Sequence, residues 1–132
     1  MTTAMRIALL TLLFFLGLSA LAGSFALLTD PSGAIMGATP ELLRRTPFTD
    51  FFWPGVILGA VFGVGSLATF ILLLRGWNGA LRAAQVIGAG QLIWISVQLL
   101  TLPAVSWLQV IYFATGLAMV VIAGRCRRAI PA

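Results

Sequence analysis

The sequence predicts an all-α fold: a transmembrane four-helix bundle with a short interfacial helix in the first outer loop. Three observations carry that expectation. The 132 residues are 61% hydrophobic and 8% charged, where soluble chains carry roughly 25% charged residues, so a surface facing water could not be covered. Four uncharged apolar runs recur along the chain. Each has about 20 residues, which at about 1.5 Å rise per residue matches a bilayer core of ~30 Å. None alternates like a barrel strand, and lipid requires backbone groups to be bonded within the segment.

The runs cover 7–28, 54–74, 83–102 and 105–123, within a single integral membrane domain, 1–132, whose outer segment is 29–53. The first run has a rival reading. Arg6, the apolar stretch 7–18 and Ala20-Leu21-Ala22 before Gly23 fit a signal peptide with a cleavage site. The apolar run continues to Leu28, whereas a signal core stops after about 7–15 residues, which favours a retained span. Charge placement does not separate the two readings, because removing the run leaves the others in the same orientation.

Orientation follows from arginine. The chain has no lysine, and its +5 charge is eight arginines against Asp30, Glu41 and Asp50. Arg6, Arg75, Arg82, Arg125, Arg127 and Arg128 fall on one side of a four-span layout, with Arg44 and Arg45 on the other. The positive-inside rule then puts both termini in the cytoplasm. Trp77 near one boundary, with Trp53 and Trp107 near the other, suits an aromatic belt. The basic residues are too few and too dispersed for nucleic acid.

The long first connection holds most of the polar chemistry. Asp30-Pro31-Ser32-Gly33 reads as a type I turn that ends the first span. Thr39, Pro40 and Glu41 read as N-cap, first-turn proline and an acid at a positive helix end, opening a short helix through Arg45. Thr46-Pro47 stops it, and Thr49 or Asp50 caps the second span. Charge gathers here because this is the long stretch outside hydrocarbon. Phe48, Phe51, Phe52 and Trp53 gather because amphipathic rings settle at the interface. Asp30, Glu41, Arg44, Arg45 and Asp50 form a candidate outer-segment site, with surface anchoring as the plainer role. The later connections are short: Asn78-Gly79 signals a turn, and Leu102-Pro103-Ala104 makes the third and fourth spans antiparallel neighbours.

Within the spans, Gly55, Gly59 and Gly63 recur every fourth residue and give one helix face for close packing. That face suits another span of this chain or a homo-oligomer seam. Gln91, Trp94 and Gln98 share one stripe of the third span. Gln98 and Gln109 lie at equal depth beside the turn, within reach of a mutual hydrogen bond. Tyr112 lies one turn further, and Gly116 would leave room beside Gln91. The five residues Gln91, Trp94, Gln98, Gln109 and Tyr112 therefore mark a candidate ligand pocket in the outer half. Interhelical bonding, at about 0.6 kcal/mol per contact, is the competing reading. Cys126 reads as a juxtamembrane thiol in the basic tail RCRR, which would attract anionic lipid heads by about 1 kcal/mol per arginine.

Absences limit the chemistry. Without histidine or lysine there is no imidazole base, His-metal site or Schiff base. A single cysteine excludes an intrachain disulfide. No charge lies within a span, which argues against exchange through a buried carboxylate. No catalytic residue, metal site or cofactor is expected.

The pattern D-P-S-G, then E-L-L, T-P-F-x-D-F and P-G, followed by Q-L-I-W-I-x-V-Q, resembles a group of small, uncharacterised bacterial four-span inner-membrane proteins. The likeness covers nearly the whole chain and is most specific from Asp30 to Gly55, continuing to Gln91, Trp94 and Gln98. It implies the architecture and the inner membrane, and no activity. The residues favour a non-enzymatic structural or assembly component of a membrane complex, with the bilayer and other membrane subunits as partners. The alternative is a binder or carrier of a lipophilic molecule through the outer-half pocket. An enzyme using the outer carboxylates is the weakest reading, since turn and capping roles already occupy those acids.

Overall fold

The computed structural model describes residues 2–33, 49–77, 79–101 and 107–129. Four helices are long and apolar enough to cross a membrane: α1 (Thr3–Thr29), α2 (Phe52–Leu74), α3 (Gly79–Thr101) and α4 (Trp107–Ala129). No strand occurs among the described residues. The chain is an all-α, multi-pass integral membrane protein. The short helix expected at 39–45 and the tight turn at 102–104 lie outside the described residues.

The helices overrun the apolar stretches where end groups find partners. α1 begins at Thr3 rather than at position 7, because the Thr2 hydroxyl accepts the Met5 N–H at 3.1 Å and caps the first turn. It ends at a turn in which Gly33 N–H donates to Asp30 O at 3.0 Å and Ser32 N–H to Asp30 Oδ1 at 3.2 Å. The Asp-Pro-Ser-Gly reading thus has its hydrogen bonds, and Gly33 sits at φ 82°. Phe51 N–H donates to Pro31 O at 2.8 Å, which ties together the two ends of the long connection.

The second connection leaves α2 at Gly76 and turns across Asn78-Gly79, where Ala80 N–H donates to Trp77 O at 3.0 Å; Asn78 itself lies outside the described residues. Gly76 adopts φ 78°, its N–H donates to Leu73 O, and Trp77 N–H reaches back to Leu72 O, both at 3.1 Å. These are the two bonds of a Schellman cap, which needs a left-handed residue at this place. Gly79 opens α3, with the Trp77 ring lying against its Cα.

α1 pairs with α2 and α3 with α4 as antiparallel hairpins, and the hairpins meet along α1–α4 and α2–α3. The apolar core is uneven along the membrane normal. Leu9, Leu13, Leu16, Leu73, Ala84, Met119, Ala123 and Cys126 are all buried, and all lie in the half that carries the termini. At the opposite, acid-bearing end, the first turns of α2 pack on α1 but make no comparable contact with α3 or α4. Among the described residues the hairpins are therefore joined more firmly at the terminal end, with Leu27 and Ile95 buried toward the other.

Arg6 fastens the firm end. Its Nη2 donates to Leu73 O at 3.0 Å and Leu74 O at 3.2 Å, adding a donor to Leu73 O, which already accepts Gly76 N–H, and meeting Leu74 O in the last turn of α2. A cation there also faces the negative end of the helix dipole.

Candidate functional site

The glycine face of α2 is turned toward α1. A Cβ on Gly55 would meet Leu27 Cβ at 3.0 Å, one on Gly63 would meet Leu21 Cδ2 at 2.7 Å, and one on Gly59 would overlap the Ser24 hydroxyl. Ser24 Oγ uses this closeness to donate to Gly55 O at 2.7 Å. Gly17 answers from α1, where a Cβ would lie 2.6 Å from Leu67 Cγ. All three predicted packing glycines thus serve contacts within the chain.

The same stretch of α2 is π-helical from Leu58 to Val64, and Gly65 N–H donates five residues back to Ala60 O. Such wide turns recur at functional sites. Just past it stands Ser66, fully buried, with an Oγ that has no partner among the described residues. Thr11, Ser19, Thr69 and Thr115 all bond the carbonyl four residues back, so Ser66 is exceptional.

The stripe on α3 faces the bundle. Gln91 is 3% exposed, and its Oε1 likewise has no partner among the described residues. One turn along, Trp94 meets Phe62 of α2 edge-on, with ring centroids 5.8 Å apart. Gln98 Oε1 accepts from Gln109 Nε2 of α4 at 3.3 Å. Tyr112 stacks on Phe15 of α1, with centroids 5.7 Å apart and planes at 17°. The predicted pocket residues therefore reach toward three different helices, and Gln98 and Gln109 bond each other. Gly116 opens no space beside Gln91. A Cβ there would lie 3.1 Å from Gln91 Cβ and 2.9 Å from Gly88 O, so the glycine lets α3 and α4 close up.

The outer-segment residues divide. Glu41, Arg44 and Arg45 lie outside the described residues. Asp30 Oδ1 accepts from Ser32 Oγ at 2.6 Å as well as from its N–H. Asp50 Oδ1 accepts Phe52 N–H at 3.0 Å and so serves the first turn of α2. Both described acids are occupied by local backbone and side-chain donors. No group of His, Cys, Asp or Glu able to hold a metal occurs among the described residues.

Two residues escaped sequence reasoning, and so did the burial of a third. Ser66 was signalled by a lone hydroxyl inside an apolar run, and Gln85 by an amide close to the arginine-bearing end. Cys126, read as a juxtamembrane thiol of the basic tail, packs in the core with no exposure. Its neighbours in sequence are arginines, which concealed that its own helix face points inward.

No family model, curated protein or solved structure matches the chain. The arrangement of its own residues is what bears on function.

Proposed function

We propose that the protein binds a hydroxyl-bearing lipophilic molecule between its two hairpins, at the polar seam of Gln91, Trp94, Gln98, Gln109 and Tyr112. The observation that carries this reading is the buried Gln91 side-chain carbonyl, which has no donor among the described residues. An unmet polar group in an apolar interior costs about 1–3 kcal/mol, and leucine at that position would remove the cost. A hydroxyl can both donate to and accept from an amide, and an acyl or isoprenoid chain suits the Trp94 and Phe62 rings one turn along. Among the described residues fewer large aliphatic side chains are buried in the acid-bearing half, Leu27 and Ile95 being two, which favours access from that end. The occupied carboxylates of Asp30 and Asp50 support a binder or carrier over an enzyme.

The arginine bias supports cytoplasmic termini, and the four-span resemblance supports a bacterial inner membrane. Native mass spectrometry of protein extracted in a mild detergent tests the binding. Wild type is expected to retain a stoichiometric lipophile, and Gln91→Leu to lose it while melting no lower than wild type. Equal retention by Gln91→Leu would reject the site.

A second reading, an assembly component, draws on Phe52 and Trp53, which pair edge-on at 5.3 Å and are both exposed. Its glycine-face motive is weaker, because α1 already covers that face. Co-purification of a stoichiometric partner protein would favour it.

A further inference from the structure

A second feature lies at the terminal end, away from the seam. An open groove of about 610 Å³ runs between α3 and α4 and is lined by Gln85, Val121, Gly124, Arg125, Arg127 and Arg128, among others. Its construction depends on Gly124. A Cβ there would stand 2.9 Å from Gln85 Nε2, so the missing side chain lets the amide cross onto α4. Gln85 Nε2 then reaches Val120 O at 3.5 Å, and its Oε1 accepts from Arg127 Nη1. Arg128 folds back, with Nε donating to Gly124 O at 3.3 Å, and Arg125 stands exposed.

Two of the three guanidiniums are thus fixed by neutral partners, and no acid among the described residues compensates their charge. The described acids, Asp30 and Asp50, sit at the opposite end of the bundle. Below the arginines, Val120 and Val121 continue the groove onto the apolar surface of α4. Charge above and hydrocarbon below fit one class of molecule.

We infer that this groove is a binding site for the phosphate headgroup of an anionic phospholipid, with Gln85 as the residue that positions Arg127. Basic pockets between spans at a membrane boundary bind such headgroups, and arginine offers phosphate a bidentate fork. The site differs from diffuse attraction by a basic tail, because one neutral side chain sets its geometry. It is independent of the seam at Gln91, and either can fail alone.

Native mass spectrometry tests it, by titrating the detergent-solubilised full chain with phosphatidylglycerol, phosphatidylcholine or inorganic phosphate. Wild type is expected to prefer phosphatidylglycerol over phosphatidylcholine. Arg125→Gln/Arg127→Gln/Arg128→Gln should lower phosphatidylglycerol affinity by roughly a hundredfold, from three lost charges. Gln85→Leu keeps every charge and should still lose affinity several-fold. Arg125→Gln, at an exposed position, gives a milder test if the triple variant does not fold, with an expected loss of roughly fivefold. Full affinity in Gln85→Leu would show diffuse attraction and overturn the built site. Inorganic phosphate competing as well as the lipid would overturn the lipid assignment.

Discussion

Replacing Gly59 by alanine tests the α1–α2 contact with one methyl group. The new Cβ would lie 2.9 Å from Ser24 Cβ and overlap the Ser24 hydroxyl. Rotating the hydroxyl relieves only the second contact, because Ser24 Cβ is fixed to the α1 backbone. Carbon atoms rest at about 3.5–4.0 Å, so the helices must part by at least roughly 0.6 Å. A gap of that size forfeits about a quarter to a half of each contact well it opens, and it opens them along the whole face, at Gly55 and Gly63 too. It also stretches the 2.7 Å bond from Ser24 Oγ to Gly55 O, a kind of contact worth about 0.6 kcal/mol in membrane helices. Together these place the cost near 2 kcal/mol, within the range of about 1–3 kcal/mol seen for overpacking. Thermal unfolding in detergent, followed by a thiol-reactive fluorophore at Cys126, should show a melting point lowered by several degrees. Gly90→Ala is the control, because its Cβ would meet only Phe62 at an ordinary 3.6 Å. Ser24→Gly should then recover part of the loss, with a coupling of about 1 kcal/mol in the double-mutant cycle. Equal melting of the Gly59→Ala and Gly90→Ala proteins, or a strictly additive cycle, would refute the close-contact argument.

Three further outcomes are expected. Arg6→Ala removes the donor to Leu73 O and Leu74 O and should cost about 1 kcal/mol; the same melting assay measures it, with Arg82→Ala, an exposed arginine, as the comparison. Gly76→Ala forces a side chain into a left-handed conformation, with nothing within 4 Å to clash. Its cost should be the backbone strain alone, about 1–2 kcal/mol, and Gly76→Asn should cost less than Gly76→Val in the same measurement. Cys126 should resist a maleimide in the folded protein and react promptly after denaturation; prompt reaction without denaturant would contradict its burial.

Much of the fold was legible because lipid leaves a helical segment few choices. A run such as 54–74 needs neither partner nor register to be recognised, since an uncharged stretch of that length must bond its own backbone. The Asp30-Pro31-Ser32-Gly33 turn was readable for a similar reason: its hydrogen bonds are local. The Gln98–Gln109 bond was also within reach, because a short connection fixes the depth of both residues. Reading failed where a residue's role depended on a distant surface. Asn78-Gly79 reads as a turn and has its bond from Ala80 N–H to Trp77 O, but that Gly76 takes the positive φ depends on how α2 ends. Cys126 among arginines looks exposed until α4 is rotated against the other helices.

By itself the sequence determined that the chain crosses the membrane as helices and where its charges must stay outside hydrocarbon. Both follow from the cost of placing each residue type in lipid, a property of single segments. Only the tertiary structure decided that α1 fills the glycine face and that Gln91 Oε1 and Ser66 Oγ are buried without partners among the described residues. It alone decided, too, that Gln85 crosses Gly124 to hold Arg127. Those facts depend on the rotation and approach of one helix against another, which hydrophobicity all round a span leaves open and side-chain packing sets.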